Sequence, residues 1–461
     1  MIDHKDRTSN TQWGSKLGFI AAAAGSAVGL GNIWRFPYIT GQNGGGVFVL
    51  FYLLCVIVLG FPIMVAEVTI GRTTQSSPVR AYGELSNHSR LWQTVGLVGV
   101  ITGAVILSYY SVVAGWGLHY LMLSLVGWFP QVNTPEAYTN LFDSLHQSVG
   151  LNIWWQSIFM IITTWVVLRG VRGGLEQVAN IGMVTLFGII VVLTIYASTL
   201  PGFGSALDFV FGHAERFTWV SALEALGQAF FSLSLGMGAM LTYGSYLKLH
   251  DDTVGTSLVI SLADTAVAVA ACLIIFPITF SVGLEPAAGP GLVFINIPLA
   301  LHQLPFGGVG MFVFFLLLFI AALTSAISLL EVATAFLIDS LGWRRLKAAI
   351  ICGAIVYFLG LPSAASGGSG LFGNGMEQLI GMTWFDAVDY LASNWLLPLG
   401  GIGISLFVGW HINSQRRLSE FREGSWLGSL GWVYSVWVFL IRWFAPGAIA
   451  FVMLNVLGIL S

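Results

Sequence analysis

Residues 25–37 of this chain read GSAVGLGNIWRFP, in the middle of an otherwise apolar run. A helix built to cross lipid is weakened by Gly25, Gly29 and Gly31, each by roughly 1 kcal/mol against Ala. Arg35 at such a depth is costly unless something pairs with it. Backbone unwinds inside a membrane only where protein buries it or where it lines a cavity. The chemistry on offer is therefore ion and solute binding by freed carbonyls and amides. A second interruption, QAFFSLSLGMG at 228–238, places Ser232, Ser234, Gly236 and Gly238 in another apolar run. Gly and Ser also let membrane helices approach closely, which is the plainer reading of either segment alone. Two breaks in corresponding positions argue against it. A third feature is Asp264 in SLADTAVAVAA, a carboxylate inside an apolar helix and thus a functional candidate by default.

The elements that must position these groups are membrane spans. The 461 residues are 56% apolar and 8% charged, against about 25% charged in soluble domains. Segments near 17–39, 45–70, 91–124, 153–169, 176–199, 221–246, 254–284, 308–338, 345–360, 384–411 and 432–459 approach or exceed the ~20 residues a span needs; they are numbered spans 1 to 11. The fold class expected is an all-α integral membrane protein of eleven helices, with a tail at 1–16 and span 11 outside two repeats, 17–199 and 221–411. Spans 1 and 6 lie five apart and cross in opposite directions, as in an inverted repeat with paired broken helices at the midplane. Lys and Arg concentrate in alternate loops, which puts the N-terminus in the cytoplasm of a multi-pass protein of the inner (plasma) membrane. The N-terminal segment lacks the pattern of a signal peptide. Residues 286–305 are Pro-rich with an apolar core and read as a cap dipping toward the pore; 362–383 are Ser/Gly-rich and read as an ordinary loop. Cys55, Cys272 and Cys352 form neither a disulfide framework nor a metal motif.

Five segments carry a resemblance: WGSKLGFIAAAAGSAVGLGNIWRFPY (13–38), NGGGVFVLFY (43–52), EVTIGR (67–72), GQAFFSLSLGMGAMLTYGSY (227–246) and LTSAISLLEV (323–332). Over spans 1 to 10 the chain resembles the neurotransmitter:sodium symporter family and its leucine-transporter fold. With no twelfth span it is most similar to the eleven-span bacterial branch that carries hydrophobic amino acids. The resemblance implies two Na⁺ sites and no organic cofactor. One would use the carbonyls of Gly25, Val28 and Ala321 with the hydroxyls of Thr324 and Ser325, hard oxygen donors suited to Na⁺. A hydroxyl bonded to its own preceding turn is the plainer reading of that Thr-Ser pair. The other would use Ala27, Asn32, Ser232 and the substrate carboxylate, with Asp264 where relatives often carry Asn. Relatives that need chloride hold it with residues matching Tyr52, Gln228 and Ser232. A fixed carboxylate at 264 would replace that anion, so chloride independence is expected.

By the same resemblance, the Leu30 and Gly31 amides and the Tyr110 hydroxyl would take a carboxylate. Carbonyls of Ala27, Phe231 and Ser232, with Ser234, would take an ammonium. Gly29 stands where monoamine carriers place Asp, which points to an α-amino acid. Ile106, Phe231, Met237, Ala326 and Leu329 would line a roomy apolar pocket, fit for leucine up to tryptophan, although an apolar stripe is more commonly core. The outer gate would be Arg35 with Asp389, Asp386 lying one turn away on the same face, over an aromatic lid of Tyr110 and Phe231. The inner gate would join Trp13, Ser245, Tyr246 and Asp339. Its usual basic residue matches Asn10, which leaves Arg7 or Lys5 as substitutes. Span 5 departs from the family in having Val184, not Pro, ten residues after Gly174, with Gly182 as a substitute point of softness. Glu67 reads as a structural partner of the broken helices, and Glu331 as a hydrogen-bonded acid or a proton sensor.

The partners expected are a small-molecule amino acid and the lipid bilayer, with no nucleic acid; a homodimer is compatible with this. Competing readings are a sodium channel, an amino-acid sensor, a carrier of an ω-amino acid or osmolyte, and a membrane enzyme. Eight histidines fall in no HExxH or similar spacing, and no nucleophile or cofactor motif accompanies them.

Overall fold

Inside a bilayer no water is present to satisfy backbone groups, so apolar segments fold as helices that bond within themselves. In the computed structural model, which describes residues 12–130, 132–212, 218–285 and 289–459, nine helices are long and apolar enough to span. A tenth counts if the pair Lys16–Ala27 and Gly31–Gln42, bent by 42°, is one span. No strand occurs among the described residues. Span 6 is divided into Trp219–Ser232 and Ala239–Gly244, so an eleventh span exists only if its two halves are taken together.

Span 8, Gly307–Leu341, and span 3, Arg90–Val126, pack along each other and are the most deeply buried long helices. Spans 4 and 5, at Val149–Leu168 and Val171–Ser198, expose more of their surface, as lipid-facing helices do. Span 5 starts with a π-helical stretch, Val171–Glu176, and then runs unbroken through Gly182 and Val184. Gly182 is thus helical in this conformation. A Cβ there would lie 3.2 Å from the Thr324 methyl, so its role is to let span 5 approach span 8.

The outer segments differ in part from expectation. Leu292–Asn296 and Ile297–Gln303 are helical and buried, with Phe294 stacked on Phe142 at 5.6 Å and edge-on to Trp116 at 5.8 Å. Residues 362–383 are not a plain loop: Met376–Ile380 forms a short helix after a π-helical turn, Leu371–Gly375. The Ser/Gly content is concentrated before residue 371, and MEQLI is made of good helix formers. Another outer helix, Pro135–His146, is capped by Thr134, whose hydroxyl accepts from the Ala137 amide.

Candidate functional site

The two breaks meet at the centre of the molecule. In span 1 the α-helix stops at Ala27, and Val28 turns extended at φ −73°, ψ 90°. In span 6, Ser234, Gly236 and Gly238 take positive φ. Gly236 also sits so close to span 10 that a Cβ would lie 2.4 Å from the Leu397 carbonyl oxygen. The breaks hold each other: the Ser234 hydroxyl donates to the Ser26 carbonyl at 2.9 Å. Glu67, fully buried in span 2, accepts from the Gly236 amide at 2.7 Å, so the freed backbone has a carboxylate partner.

A cavity of about 20 Å³ lies between them, lined among others by Ala27, Gly31, Ile106, Tyr110, Phe231 and Met237. Gly29, Ser234, Ser325 and Leu329 complete most of the rest. That volume holds about one water, so the expected roomy pocket is closed down in this conformation. Ala326 and Ser232 do not line it; Ala326 is buried, and Ser232 belongs to the neighbouring carboxylate cluster. The Leu30 amide, expected to face a carboxylate, donates to the Tyr110 hydroxyl at 3.1 Å. Gly29 has no room for a side chain, since a Cβ would lie 2.2 Å from the Ser325 oxygen.

On one side of the cavity, spans 1 and 8 bring carbonyls and hydroxyls together. Ser325 donates to the Ser26 carbonyl at 2.9 Å and to that of Gly25 at 3.3 Å. Thr324 donates to the carbonyls of its own preceding turn, Ile320 at 3.0 Å and Ala321 at 3.1 Å. A Cβ at Gly25 would lie 3.2 Å from Thr324, so the two segments are in contact. Sequence reasoning missed a further tie, the 2.7 Å bond from Ser26 to Ser328.

Next to it, Asp264 is enclosed by neutral donors. Asn32 donates to its carboxylate at 2.7 Å, and Ser232 donates to either carboxylate oxygen at 2.8 Å. The Tyr52 hydroxyl stands 3.5 Å away. No cation pairs with Asp264 among the described residues. Asn32 also accepts from the Gly29 amide at 3.1 Å, which ties the cluster to the break in span 1. Gln228 is not in this cluster. Its amide donates to the Gly31 carbonyl and its oxygen accepts from Arg35, both at 2.8 Å.

Outward of the cavity, Arg35 lies 3.4 Å from Asp389 and 5.2 Å over the Phe231 ring. Tyr109 donates to Asp389 at 2.8 Å. Asp386 does not join this pair: it accepts from the Thr383 hydroxyl at the start of its helix and lines a wider vestibule of about 180 Å³ above the gate. Inward, the Trp13 amide donates to the Tyr246 carbonyl at 3.1 Å and its indole N–H to that of Tyr243 at 3.0 Å. Tyr246 donates to Glu331, which also pairs with Arg345 of span 9. Asp339 accepts from the Ser77 amide at 2.7 Å. The Ser245 hydroxyl donates to the Thr242 carbonyl of its own turn and has no gate partner among the described residues. Lys5, Arg7 and Asn10 lie outside the described residues. Glu176 of span 5, which the sequence did not single out, accepts from the Gly14 amide at 2.8 Å and caps the approach to span 1. Both sides of the cavity are thus shut. Among the described residues, no cluster of His, Cys and carboxylate side chains is arranged to hold a metal.

Comparison with known proteins agrees with this arrangement. The profile of the Sodium:neurotransmitter symporter family matches residues 10–140 and 131–458. An uncharacterized sodium-dependent transporter of Bacillus subtilis, YhdH, is 39% identical, with 98% of each chain covered. An uncharacterized sodium-dependent transporter of Haemophilus influenzae is 33% identical over 89% of this chain and 92% of its own. The crystal structure of MhsT in complex with L-phenylalanine superposes with a TM-score of 0.88 at 41% identity, covering 96% of this chain and 99% of that one.

Proposed function

We propose, from the premise that the chain belongs to the Sodium:neurotransmitter symporter family, that this sodium-coupled membrane transporter imports neutral hydrophobic α-amino acids and does not require chloride. It is a carrier and not an enzyme, as its relatives are transporters. The observation that carries the proposal is the Asp264 cluster. A buried carboxylate stands within hydrogen-bond reach of Asn32 and Ser232 and close to Tyr52, and it supplies the negative charge that a chloride ion would otherwise bring beside sodium.

The substrate reading rests on the cavity lining, which carries no charged side chain. Leu30, Gly31 and Tyr110 would hold the carboxylate, and carbonyls of Ala27, Phe231 and Ser232, with Ser234, the ammonium. Ile106, Met237 and Leu329 would yield around an apolar side chain. That MhsT binds L-phenylalanine supports the same class. One sodium would sit on Gly25, Val28, Ala321, Thr324 and Ser325. A second would sit on Ala27, Asn32, Ser232 and Asp264, sharing its shell with the substrate. Within the two repeats, 17–199 and 221–411, a bundle would rock against its scaffold between outward and inward states, in the plasma membrane with the N-terminus cytoplasmic.

The test is uptake of labelled phenylalanine, tryptophan and leucine into proteoliposomes under a sodium gradient. Choline replaces sodium in one control, and gluconate replaces chloride in another. Uptake that needs sodium and persists in gluconate is expected. Uptake of none of these amino acids would overturn the substrate class, and loss in gluconate would overturn the role of Asp264.

A further inference from the structure

One cavity lies apart from the transport site. It is a groove of about 490 Å³ on the outside of the helix bundle, between span 4 and span 9. Its walls are the face of span 4 that carries Met160, Thr164 and Leu168 and the face of span 9 that carries Ile350, Ala354 and Tyr357. The floor is set by Gly353, where a Cβ would lie 2.5 Å from the Thr164 hydroxyl, so the two helices touch there; the Ser157 and Tyr357 hydroxyls, 3.1 Å apart, join them again further along.

Cations gather at one end of this groove. Trp165 lines it, and the Arg169 guanidinium rests 4.2 Å over the Trp165 ring. Lys347 is one turn before Ile350 on the same face of span 9, with its ammonium 4.2 Å over Trp343. Arg344 is exposed beside them. None of Arg169, Arg344 and Lys347 has an acidic partner among the described residues. Arg345 is taken by Glu331 and by the Val167 carbonyl, which anchors span 9 to span 4 at that end.

An apolar trough that ends in cations held on tryptophan rings, with no acidic partner among the described residues, matches a molecule with a hydrocarbon chain and an anionic head. We infer that the groove between spans 4 and 9 is a binding site for an anionic phospholipid, with an acyl chain in the trough and the phosphate on Arg169 and Lys347. A second copy of the chain fits poorly, because a two-fold contact sets the same patch against itself and brings like charges together. In the orientation proposed above, the site faces the cytoplasmic leaflet. The inference depends on the protein lying in a membrane and not on its substrate.

Native mass spectrometry of the purified whole protein tests it, with phosphatidylglycerol or phosphatidylcholine of identical chains titrated in. The wild type should retain one phosphatidylglycerol at a concentration at least tenfold below that needed for phosphatidylcholine. Arg169→Gln with Lys347→Gln should erase that preference, about fivefold per charge removed. Ala354→Trp, which fills an exposed stretch of the trough, should remove both lipids. Equal retention of the two lipids by the wild type, or phosphatidylglycerol retention unchanged in both variants, overturns the inference. So does a lipid-free dimer that Ala354→Trp dissociates. If a variant does not fold, photoactivatable phosphatidylglycerol on the wild type decides. Adducts on 157–168 or 343–357 support the site, and adducts confined elsewhere overturn it.

Discussion

At the scale of single residues, the chemistry turns on one carboxylate with only neutral partners. Asp264 accepts from Asn32 and Ser232 and has no cation paired with it among the described residues. A lone charge at such a depth is costly and is retained where it has work to do. The donors around it would suit any compact anion once the carboxylate is removed. Asp264→Ser should therefore fold, lose most sodium-driven uptake in gluconate, at least tenfold, and regain it as chloride is added. Uptake assays across a chloride series check this. Recovery in chloride separates a missing charge from a damaged site, because a merely structural loss would not respond to the anion.

At the scale of elements, two broken helices are held open by side chains from their neighbours. Glu67 satisfies the Gly236 amide, and the Tyr246–Glu331–Arg345 network joins spans 6, 8 and 9 on the inner side. Glu331 is fully buried, and the Arg345 side chain is 24% exposed. Removing one member of such a pair leaves an uncompensated charge. Arg345→Ala should lower stability by roughly 3 kcal/mol, read as a lower melting temperature in nanodiscs. Adding Glu331→Gln to that variant should restore much of the loss, since no buried charge then lacks a partner. Much of this framework was legible in the sequence. The breaks showed as glycines and polar residues in apolar runs, and Asp264 as an acid where none is cheap. Partners contributed by distant helices were not legible. Tyr109 and Tyr110 are adjacent, yet helical geometry turns successive side chains about 100° apart. One therefore meets Asp389 and the other Leu30, and nothing local says which. Arg345 reads as one more loop cation, and Glu176 reaches a backbone amide 162 positions away. Gln228 and Ser232 share a helix face one turn apart, and that one turn puts Gln228 beside Arg35 and Ser232 beside Asp264.

At the scale of the whole molecule, the outer gate and the binding cavity are one connected structure. Gln228 holds Arg35 and the Gly31 carbonyl at once, so the gate cation is tied to a residue that lines the cavity. The proposed sodium ligands lie on that same break, and coupling between two ligands on one protein is reciprocal. Saturating sodium should tighten amino-acid binding by the same factor by which saturating amino acid tightens sodium binding. Paired titrations by scintillation proximity and by sodium-dependent fluorescence measure the two factors, and a factor of one would show that sodium and the amino acid do not share a ligand shell. The cavity of about 20 Å³ adds something of a different kind. A guest must make its own space by displacing Met237, Phe231 and Leu329, and methionine bends more readily than a ring or a branched chain. The order of preference among amino acids then reports the mechanical compliance of the walls. A larger guest gains more apolar contact but strains the stiffer walls further, so the best-held side chain marks the point where the two balance.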